Sequence, residues 1–465
     1  MLLFDPADLR PVHFVGIAGA GMSALADLLV RRGIRVTGCD TNPSAEAIAD
    51  LDRIGVRVLA EHSPDHVVGA KALVVTSAVP QDHPELQAAR AAGIPVVRRA
   101  EALGEATRVG DVIAVAGTHG KTTTTVLTTE ALASAGLDPT GLVGGRVTEW
   151  GGNHRAGSDQ LFVVEADEYD RSFLALTPSI AVITNVEADH LDIYRDIADI
   201  RGAFEQFLAP ARAVVLCADD PEADTLDVRS GAEVVRYGVD NREARVMAGD
   251  VHISQDGVVF ALYYDGKCLG DVALQVTGIH NVRNALAAIA SGLTLGATLP
   301  AMLAGLQRFR GVERRFQRLG EESGVHVVDD YAHHPTEIRA TLAAARNAFP
   351  NARVIAAFQP HLYTRTRDFA REFGEALSTA DRVFLTEIYP AREKPIAGVN
   401  GALIKDAVER SGGTVAWFGD RSELAGALAQ SAKAGDVVIT LGAGDITKTG
   451  PELLALLRME ATRDA

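Results

Sequence analysis

Val112-Ile113-Ala114-Val115-Ala116-Gly117-Thr118-His119-Gly120-Lys121-Thr122-Thr123 is a short apolar run that passes into a glycine-bracketed loop ending in Lys-Thr. Glycines let the backbone curl so that successive N–H groups face one anion. A following helix adds its positive end, the lysine supplies mobile charge, and the threonine hydroxyl is a magnesium ligand. The stretch therefore predicts strand, polyphosphate loop and helix, the opening of an α/β unit, with Lys121 and Thr122 in the last two roles. The loop is short: Val115 stands five residues before Gly120, where the usual G-x-x-x-x-G-K-[ST] pattern has its first glycine, and Gly117 comes late. A helical pattern continues over 126–135 and stops at Gly136.

Upstream, residues 11–107 alternate apolar strands at 12–15, 35–39, 72–76 and 95–97 with helical patterns at 20–32, 45–54 and 84–92, the signature of βαβ units and a parallel sheet. The first turn, Gly16-Ile17-Ala18-Gly19-Ala20-Gly21, is close to a dinucleotide fingerprint, with Ala18 at the place of its second glycine. Asp40 follows the second strand, where a ribose-binding carboxylate is expected. The turn reads as a nucleotide diphosphate site, against the alternative of a structural glycine turn.

Downstream, strand 161–164 delivers Glu165-Ala166-Asp167-Glu168 and strand 180–184 delivers Asn185-Val186-Glu187-Ala188-Asp189-His190. Ligands gather at such strand ends in parallel sheets. Carboxylate and imidazole beside a phosphate loop make Glu165 and His190 candidates for a magnesium site dominated by oxygen ligands. Strands at 213–216 and 233–237 and a β-rich stretch at 251–273 carry no visible chemistry. His280-Asn281 opens two alanine-rich helices, a place from which polar groups can meet a base. Arginines 308, 310, 314, 315 and 318 cluster where this unit ends. A third unit has strands at 325–328, 353–358, 383–386 and 436–441, and the first two lead into Asp329-Asp330-Tyr331-Ala332-His333-His334 and Gln359-Pro360-His361-Leu362-Tyr363-Thr364-Arg365-Thr366-Arg367, far richer in chemistry than packing requires.

At 465 residues the chain is long enough for about three domains. A formal charge of −16 argues against non-specific binding to nucleic acid or to acidic membrane surfaces. Cys39, Cys217 and Cys268 are odd in number and widely spaced, so neither a disulfide framework nor a zinc knuckle is expected, and the reading is cytoplasmic. Residues 1–10 carry charges and no signal-peptide core. The uncharged run 284–307 is broken by Ser291-Gly292 and by the segment from Gly296 to Pro300, which suits two packed helices better than a membrane span.

Together the segments HFVGIAGAGMSALA, AGTHGKTTTT, VVEADEYDRSF, TNVEADHLD, GIHNVRNALAA, GVERRFQ, VDDYAHHPTEI, FQPHLYTRTRDF and LGAGDI, in this order and over nearly the whole chain, resemble the Mur ligase family. The resemblance implies an α/β protein of three domains: a Rossmann-like domain at 1–107 that holds a UDP substrate, a central ATPase domain at 108–320 with a mainly parallel sheet, and a C-terminal Rossmann-like domain at 321–465 that brings an amino acid. It implies ATP-dependent joining of L-alanine to the lactyl carboxylate of UDP-N-acetylmuramate through an acyl phosphate, with Mg2+, in peptidoglycan precursor synthesis. The alternative is attachment of a preformed tripeptide to the same acceptor. By the same resemblance Gly117, Thr118, His119, Gly120, Lys121, Thr122, Thr123, His280, Asn281, Arg314 and Asp330 contact ATP. Gly16, Gly19, Gly21, Met22, Asp40 and Ser77 contact the UDP substrate, and Tyr331, His333, His361, Arg365 and Arg367 line the amino-acid pocket. Lys121, Glu165, His190 and Arg365 are the catalytic set, and Thr122, Glu165 and His190 the metal set. A monomer or weak homodimer, with no nucleic-acid or membrane partner, is expected. Two departures stand out. No lysine lies between Lys121 and Lys267, so the carbamylated lysine of several relatives has no counterpart, and Leu362 stands where many relatives carry arginine.

Overall fold

The computed structural model describes residues 3–463 except 77, 192 and 392, and three sheets carry the chain. The first contains β1 (Val12–Val15), β2 (Val36–Cys39), β3 (Val58–Leu59), β4 (Ala72–Val75) and β5 (Val96–Arg98), all parallel in the order β3-β2-β1-β4-β5. Helices α1 (Ala20–Arg31), α2 (Ala45–Arg53), α3 (Pro84–Ala91) and α4 (Arg99–Thr107) connect and follow these strands. The order reverses at β1, so the turn after β1 lies at the switch point where doubly wound sheets bind ligands.

The second sheet is built from β6 (Asp111–Ala116), β7 (Pro139–Val147), β8 (Gly152–Arg155), β9 (Ser158–Glu165), β10 (Ile180–Ile183), β11 (Ala213–Cys217), β12 (Glu233–Gly238), β13 (Val246–Ser254), β14 (Gly257–Tyr264) and β15 (Lys267–Leu274). Its order is β15-β14-β13-β12-β11-β10-β6-β9-β7-β8. Its helices are α5 (Lys121–Ser134), α6 (Ile197–Leu208), α7 (Pro221–Asp224), α8 (Ile279–Thr294) and α9 (Leu299–Arg308). β6 sits between β10 and β9, parallel to both, so the loop after β6 again occupies a switch point and is flanked by the ends of β9 and β10. α5 begins at Lys121 rather than near Val126. Threonine is a weak helix former, but Thr125, Thr128 and Thr129 donate their hydroxyls back to the carbonyls of Lys121, Thr124 and Thr125 at 2.7–2.9 Å, which lets a buried threonine run stay helical.

The third sheet comprises β16 (Gln317–Glu322), β17 (Val325–Asp330), β18 (Arg353–Phe358), β19 (Arg382–Thr386), β20 (Val415–Gly419) and β21 (Asp436–Leu441), with helices α10 (Pro335–Ala348), α11 (Tyr363–Asp368), α12 (Ala370–Leu377), α13 (Ala402–Arg410), α14 (Arg421–Ser431) and α15 (Thr449–Arg463). Strand order is β16-β17-β21-β18-β19-β20, and only β16 runs antiparallel to its neighbour. This sheet begins at Gln317, ahead of the boundary expected after residue 320, because the arginine-rich segment continues into an edge strand.

Packing divides the chain into two compact units. One holds the first sheet and most of the second, up to Asp250 and again over Phe260–Ala273 and Val282–Phe309. The other holds Val251–Val259, Leu274–Asn281 and the chain from Arg310 onward. In the first unit a single apolar cluster runs from Phe14, Leu25 and Leu29 to Phe162, Phe173 and Phe204. The contact is also clasped by ions: Arg32 donates to Asp159 at 2.6 Å, His154 meets Asp27 at 2.8 Å, and Arg146 pairs with Asp50. In the second unit apolar clusters cover both faces of the third sheet, one around Phe358 and Phe373 and one around Val438 and Leu428. Among the described residues no helix is long and apolar enough to cross a membrane.

Candidate functional site

After β6 the chain makes a turn that only glycine fits at two points. Gly117 has φ +137°, and a Cβ there would collide with the Thr184 hydroxyl; Gly120 has φ +82°, with the Asn284 side chain 2.7 Å from where its Cβ would stand. The turn is laced to the end of β10. Thr118 N–H donates to Asn185 O (3.1 Å), His119 N–H to Asn185 Oδ1 (2.8 Å), and Thr184 Oγ1 to His119 O (2.6 Å). Glu187 N–H donates to Thr118 Oγ1 at 2.9 Å. Thr122 and Thr123 lie buried in the first turn of α5, whose N-terminus attracts anions.

Two carboxylates from the end of β9 address the loop separately. Thr122 donates to Glu165 at 3.0 Å, and Gly144 N–H donates to the other Glu165 oxygen at 2.6 Å. Lys121 Nζ instead donates to Glu168 at 2.7 and 3.0 Å and to the carbonyls of Gly117 and Thr118. His190, at φ +53°, places Nε2 3.7 Å from Glu168 and packs its ring edge-on against Tyr169, with centroids 5.0 Å apart. The structure thus brings Glu165 to Thr122, and His190 to the Lys121–Glu168 pair. Burial disfavours charge on both members of that pair. Glu168, hemmed in by Asp167 as well, is pushed up to about 7 despite Lys121, whereas three carboxylates around Lys121 raise its pKa in spite of burial. Sequence reasoning assigned Glu168 no role; its signal was that it is the third acidic residue in Glu165-Ala166-Asp167-Glu168.

The first turn is built differently. Gly16, at φ +77°, donates its N–H to Cys39 O at 2.8 Å, Ile17 N–H does so at 3.1 Å, and Asp40 Oδ2 accepts from Ala18 N–H at 3.1 Å. Gly19 caps α1 and Met22 is buried beneath it, whereas Ser77 lies outside the described residues. Gly21 faces Arg99, whose guanidinium a Cβ at Gly21 would meet at 2.9 Å. An open cleft of about 220 Å³ is lined by Gly21 and Arg99 at the first turn and by Glu165 and Asp167 at the end of β9 and just after it, and Glu165 is the carboxylate that accepts from Thr122 of the phosphate loop. Arg99 was not anticipated either; the Arg98-Arg99 pair at the end of β5 was its signal.

In the other unit, Asn281 donates to Thr277 O at 2.7 Å, and His280 stands against Gly278. Arg314 donates to Gly442 O at 2.6 Å and covers the Tyr331 ring at 4.8 Å. Asp330 is buried and accepts from Ala332 N–H, Phe316 N–H and Thr341 Oγ1 at 2.8–3.1 Å, and burial pushes it up to about 6. Tyr331, His333 and His361 follow one another edge-on at 5.1 and 5.9 Å, and Arg365, 5% exposed, lies 3.5 Å from His361 Nδ1. Arg367 turns outward and pairs with Asp368 at 2.6 Å. Leu362 is buried at φ +71°, a backbone state costly for a side-chain-bearing residue, and it sits between His361 and α11.

Family models match the chain in three consecutive segments: the Mur ligase family catalytic domain at 11–109, the Mur ligase middle domain at 115–292, and the Mur ligase glutamate ligase domain at 314–444. A UDP-N-acetylmuramate–L-alanine ligase of Salinibacter ruber is 44% identical over 454 residues, covering 97% of this chain and 95% of that one. Among solved structures, the UDP-N-acetylmuramate–alanine ligase MurC of Thermotoga maritima matches at 31% identity with a TM-score of 0.82 (97% and 99% covered). A murein peptide ligase of Psychrobacter arcticus matches at 26% identity with a TM-score of 0.71 (97% and 99% covered). A glycine turn and a phosphate loop stand at successive switch points of a chain that all three models match in order and that is 44% identical to a relative over nearly its whole length, and the chain belongs to the Mur ligase family.

Proposed function

We propose that the protein joins L-alanine to the lactyl carboxylate of UDP-N-acetylmuramate at the expense of ATP. The observation that carries this reading is the cleft from Gly21 and Arg99 to Glu165, which brings a UDP-linked acid to the carboxylate that Thr122 of the phosphate loop contacts. The carboxylate attacks the γ-phosphate, ADP leaves, the amine of L-alanine attacks the acyl phosphate, and phosphate leaves with the amide formed. A carboxylate approaching a triphosphate meets like charge, so positioning and positive charge do most of the work. Lys121 supplies that charge once it exchanges Glu168 for phosphate oxygen. The hydroxyl of Thr122, the carboxylate of Glu165 and the imidazole of His190 suit a hard divalent cation; Mg2+ bound there would neutralise phosphate charge. Asp40 and the turn at Gly16 and Gly19 hold the uridine end, and Arg365 with His361, His333 and Tyr331 holds the amino acid. Asn281, His280 and Arg314 serve ATP. Asp330 acts by shaping its loop, since its oxygens already hold three donors, and Arg367 is the reserve cation. One functional domain corresponds to each sheet.

The murein peptide ligase likeness keeps tripeptide as the competing acceptor reading, and relatives with the alanine activity at higher identity favour L-alanine. Phosphate release from ATP, measured with UDP-N-acetylmuramate and each of L-alanine, glycine, L-serine and tripeptide, tests the proposal. Turnover with L-alanine well above the rest is expected; preference for tripeptide overturns it.

A further inference from the structure

A second concentration of ligand-type side chains lies in the first sheet, apart from the phosphate loop. Glu85, in α3 and fully buried, is the centre. Its two oxygens are approached by His13 Nε2 at 3.1 Å, Cys39 Sγ at 3.2 and 3.4 Å, His66 Nδ1 at 3.1 Å and Ser63 N–H at 3.0 Å. His62 Nδ1 is 3.5 Å from the same carboxylate and 3.1 Å from Cys39 Sγ. A carboxylate offers about four acceptor sites, so five side-chain and backbone donors crowd it beyond what its own neutralisation requires. Next to them His83 is 8% exposed, has both ring nitrogens buried without a hydrogen-bond partner, and sets its ring edge-on against His62 with centroids 4.4 Å apart. A core that only needed to satisfy Glu85 has no use for this surplus of imidazole.

We propose that His13, Cys39, His66 and Glu85 form a binding site for one borderline-soft divalent cation of the zinc(II) class. One ligand atom from each of the four lies within 4.8 Å of the other three. Ligands about 2.0–2.3 Å from a tetrahedral zinc are held at separations of this order. A thiolate together with two imidazoles and one carboxylate selects zinc over magnesium, which prefers sites dominated by oxygen. Charge closes as well: thiolate plus carboxylate neutralise a divalent cation, which a buried site requires. His13 already has the outer support typical of a metal-bound histidine, since its far nitrogen, Nδ1, meets Thr37 Oγ1 at 2.8 Å. On binding, Cys39 releases its proton to solvent, and His13 and His66 shift tautomer so that the nitrogens now facing Glu85 present lone pairs. One proton is released per cation. The donors come from β1, β2, the turn at Pro64–Val67 and α3, so the cation ties the two strands to the turn and the helix packed on that face of the sheet, where Val15, Cys39, Val67 and Leu86 also cluster.

The test is zinc titration of the full chain, stripped with chelator, against a chromophoric chelator, and cobalt(II) substitution read by absorbance. Expected is one zinc per chain with Kd below about 1 μM, a thiolate-to-cobalt charge-transfer band, and loss of that band in Cys39→Ser. Affinity should fall at least about tenfold in Cys39→Ser and in His66→Ala, and the latter, at a half-buried position, keeps the test valid should Cys39→Ser misfold. Glu165→Ala should retain the tight zinc, which separates this site from the phosphate loop. No tight zinc in the wild type, or tight zinc that survives Cys39→Ser and His66→Ala but disappears in Glu165→Ala, overturns the proposal.

Discussion

Two strand-to-helix turns of this protein, Gly16–Gly21 and Gly117–Lys121, solve one backbone problem and serve different charges. Both follow a strand at a switch point of a parallel sheet, and in both several turn N–H groups donate to the end of a neighbouring strand or to the residue just after it. The first carries no cation; its contacts are mainly backbone to backbone, with the side chains of Asp40 and Ser23 bonded to it, and the guanidinium beside it, that of Arg99, comes from the start of α4. The second ends in a lysine whose side chain is only 14% exposed and is fastened by side chains that follow two neighbouring strands. The difference teaches where chemistry occurs. A turn that only binds can leave its ligand's charge to solvent, whereas a turn at which phosphoryl transfer happens must deliver fixed charge in a dry place.

Removing that charge is the strongest way to break the comparison. Lys121→Ala should lower turnover by about a hundred- to a thousandfold or more while leaving the affinity for UDP-N-acetylmuramate unchanged, which steady-state kinetics and substrate titration read separately. Wild-type turnover in a folded Lys121→Ala protein would make the two turns equivalent. Arg365 belongs to neither turn and should affect the third substrate alone. A charge-assisted contact to a carboxylate is worth roughly 1.5–3 kcal/mol, so Arg365→Ala should weaken use of L-alanine about ten- to a hundredfold, and Arg365→Lys should recover part of it. Unchanged kcat and KM for L-alanine would move the role to Arg367.

A pair of glycine substitutions sharpens the comparison at the backbone. At Gly16 a methyl group would meet nothing within 4 Å, so Gly16→Ala carries only the conformational cost of its positive φ, about 1–2 kcal/mol. Gly117→Ala adds a collision with Thr184 to that strain and should cost more, with loss of ATP-dependent activity as well. Chemical unfolding of the two variants side by side checks the order, and equal losses would mean that the loop relaxes freely.

Much of this was legible because buried parallel strands are short apolar runs bounded by turn residues, and β1, β6, β10, β18 and β21 read off the sequence almost residue for residue. What escaped did so for physical reasons. Glycine is disfavoured in strands, so the Gly-Leu-Val-Gly-Gly stretch of β7 carried no strand signal, yet Gly141 is there because Thr129 and Trp150 come within 2.8 Å of its missing Cβ, and Gly144 because Glu165 does at 3.3 Å. β16 was hidden by its charged residues, Arg318, Glu321 and Glu322, which an edge strand tolerates. Glu168 escaped because the chain leaves strand geometry after Glu165, and alternation no longer tells which carboxylate meets the lysine. The histidine and cysteine cluster around Glu85 is invisible in one dimension, since its members are spread from residue 13 to residue 85 without motif spacing.

The smallest expected effect concerns a carboxyl group whose oxygens already hold three donors of the chain itself. Asp330 is buried at the end of β17, and loss of solvation raises it to about 6 from an ordinary 3.8, although the charge of Arg315 and the N–H groups of Ala332 and Phe316 work in the other direction. Because the folded state binds this proton more tightly than the unfolded chain, the stability it contributes is fully present below pH 3.8 and is lost as pH rises through about 6. The sign is opposite to that of a salt-bridged aspartate. Asp330→Asn, which stays neutral throughout, should therefore lack this pH dependence, so the wild type loses ground relative to the variant between about pH 4 and 6 and runs parallel to it above that. Urea midpoints of both proteins across that range read the difference directly. A wild type that gains on Asp330→Asn as pH rises would show an ionised, stabilising carboxylate, and with it a group fit to receive a ligand's hydroxyl rather than one committed to shaping its own loop.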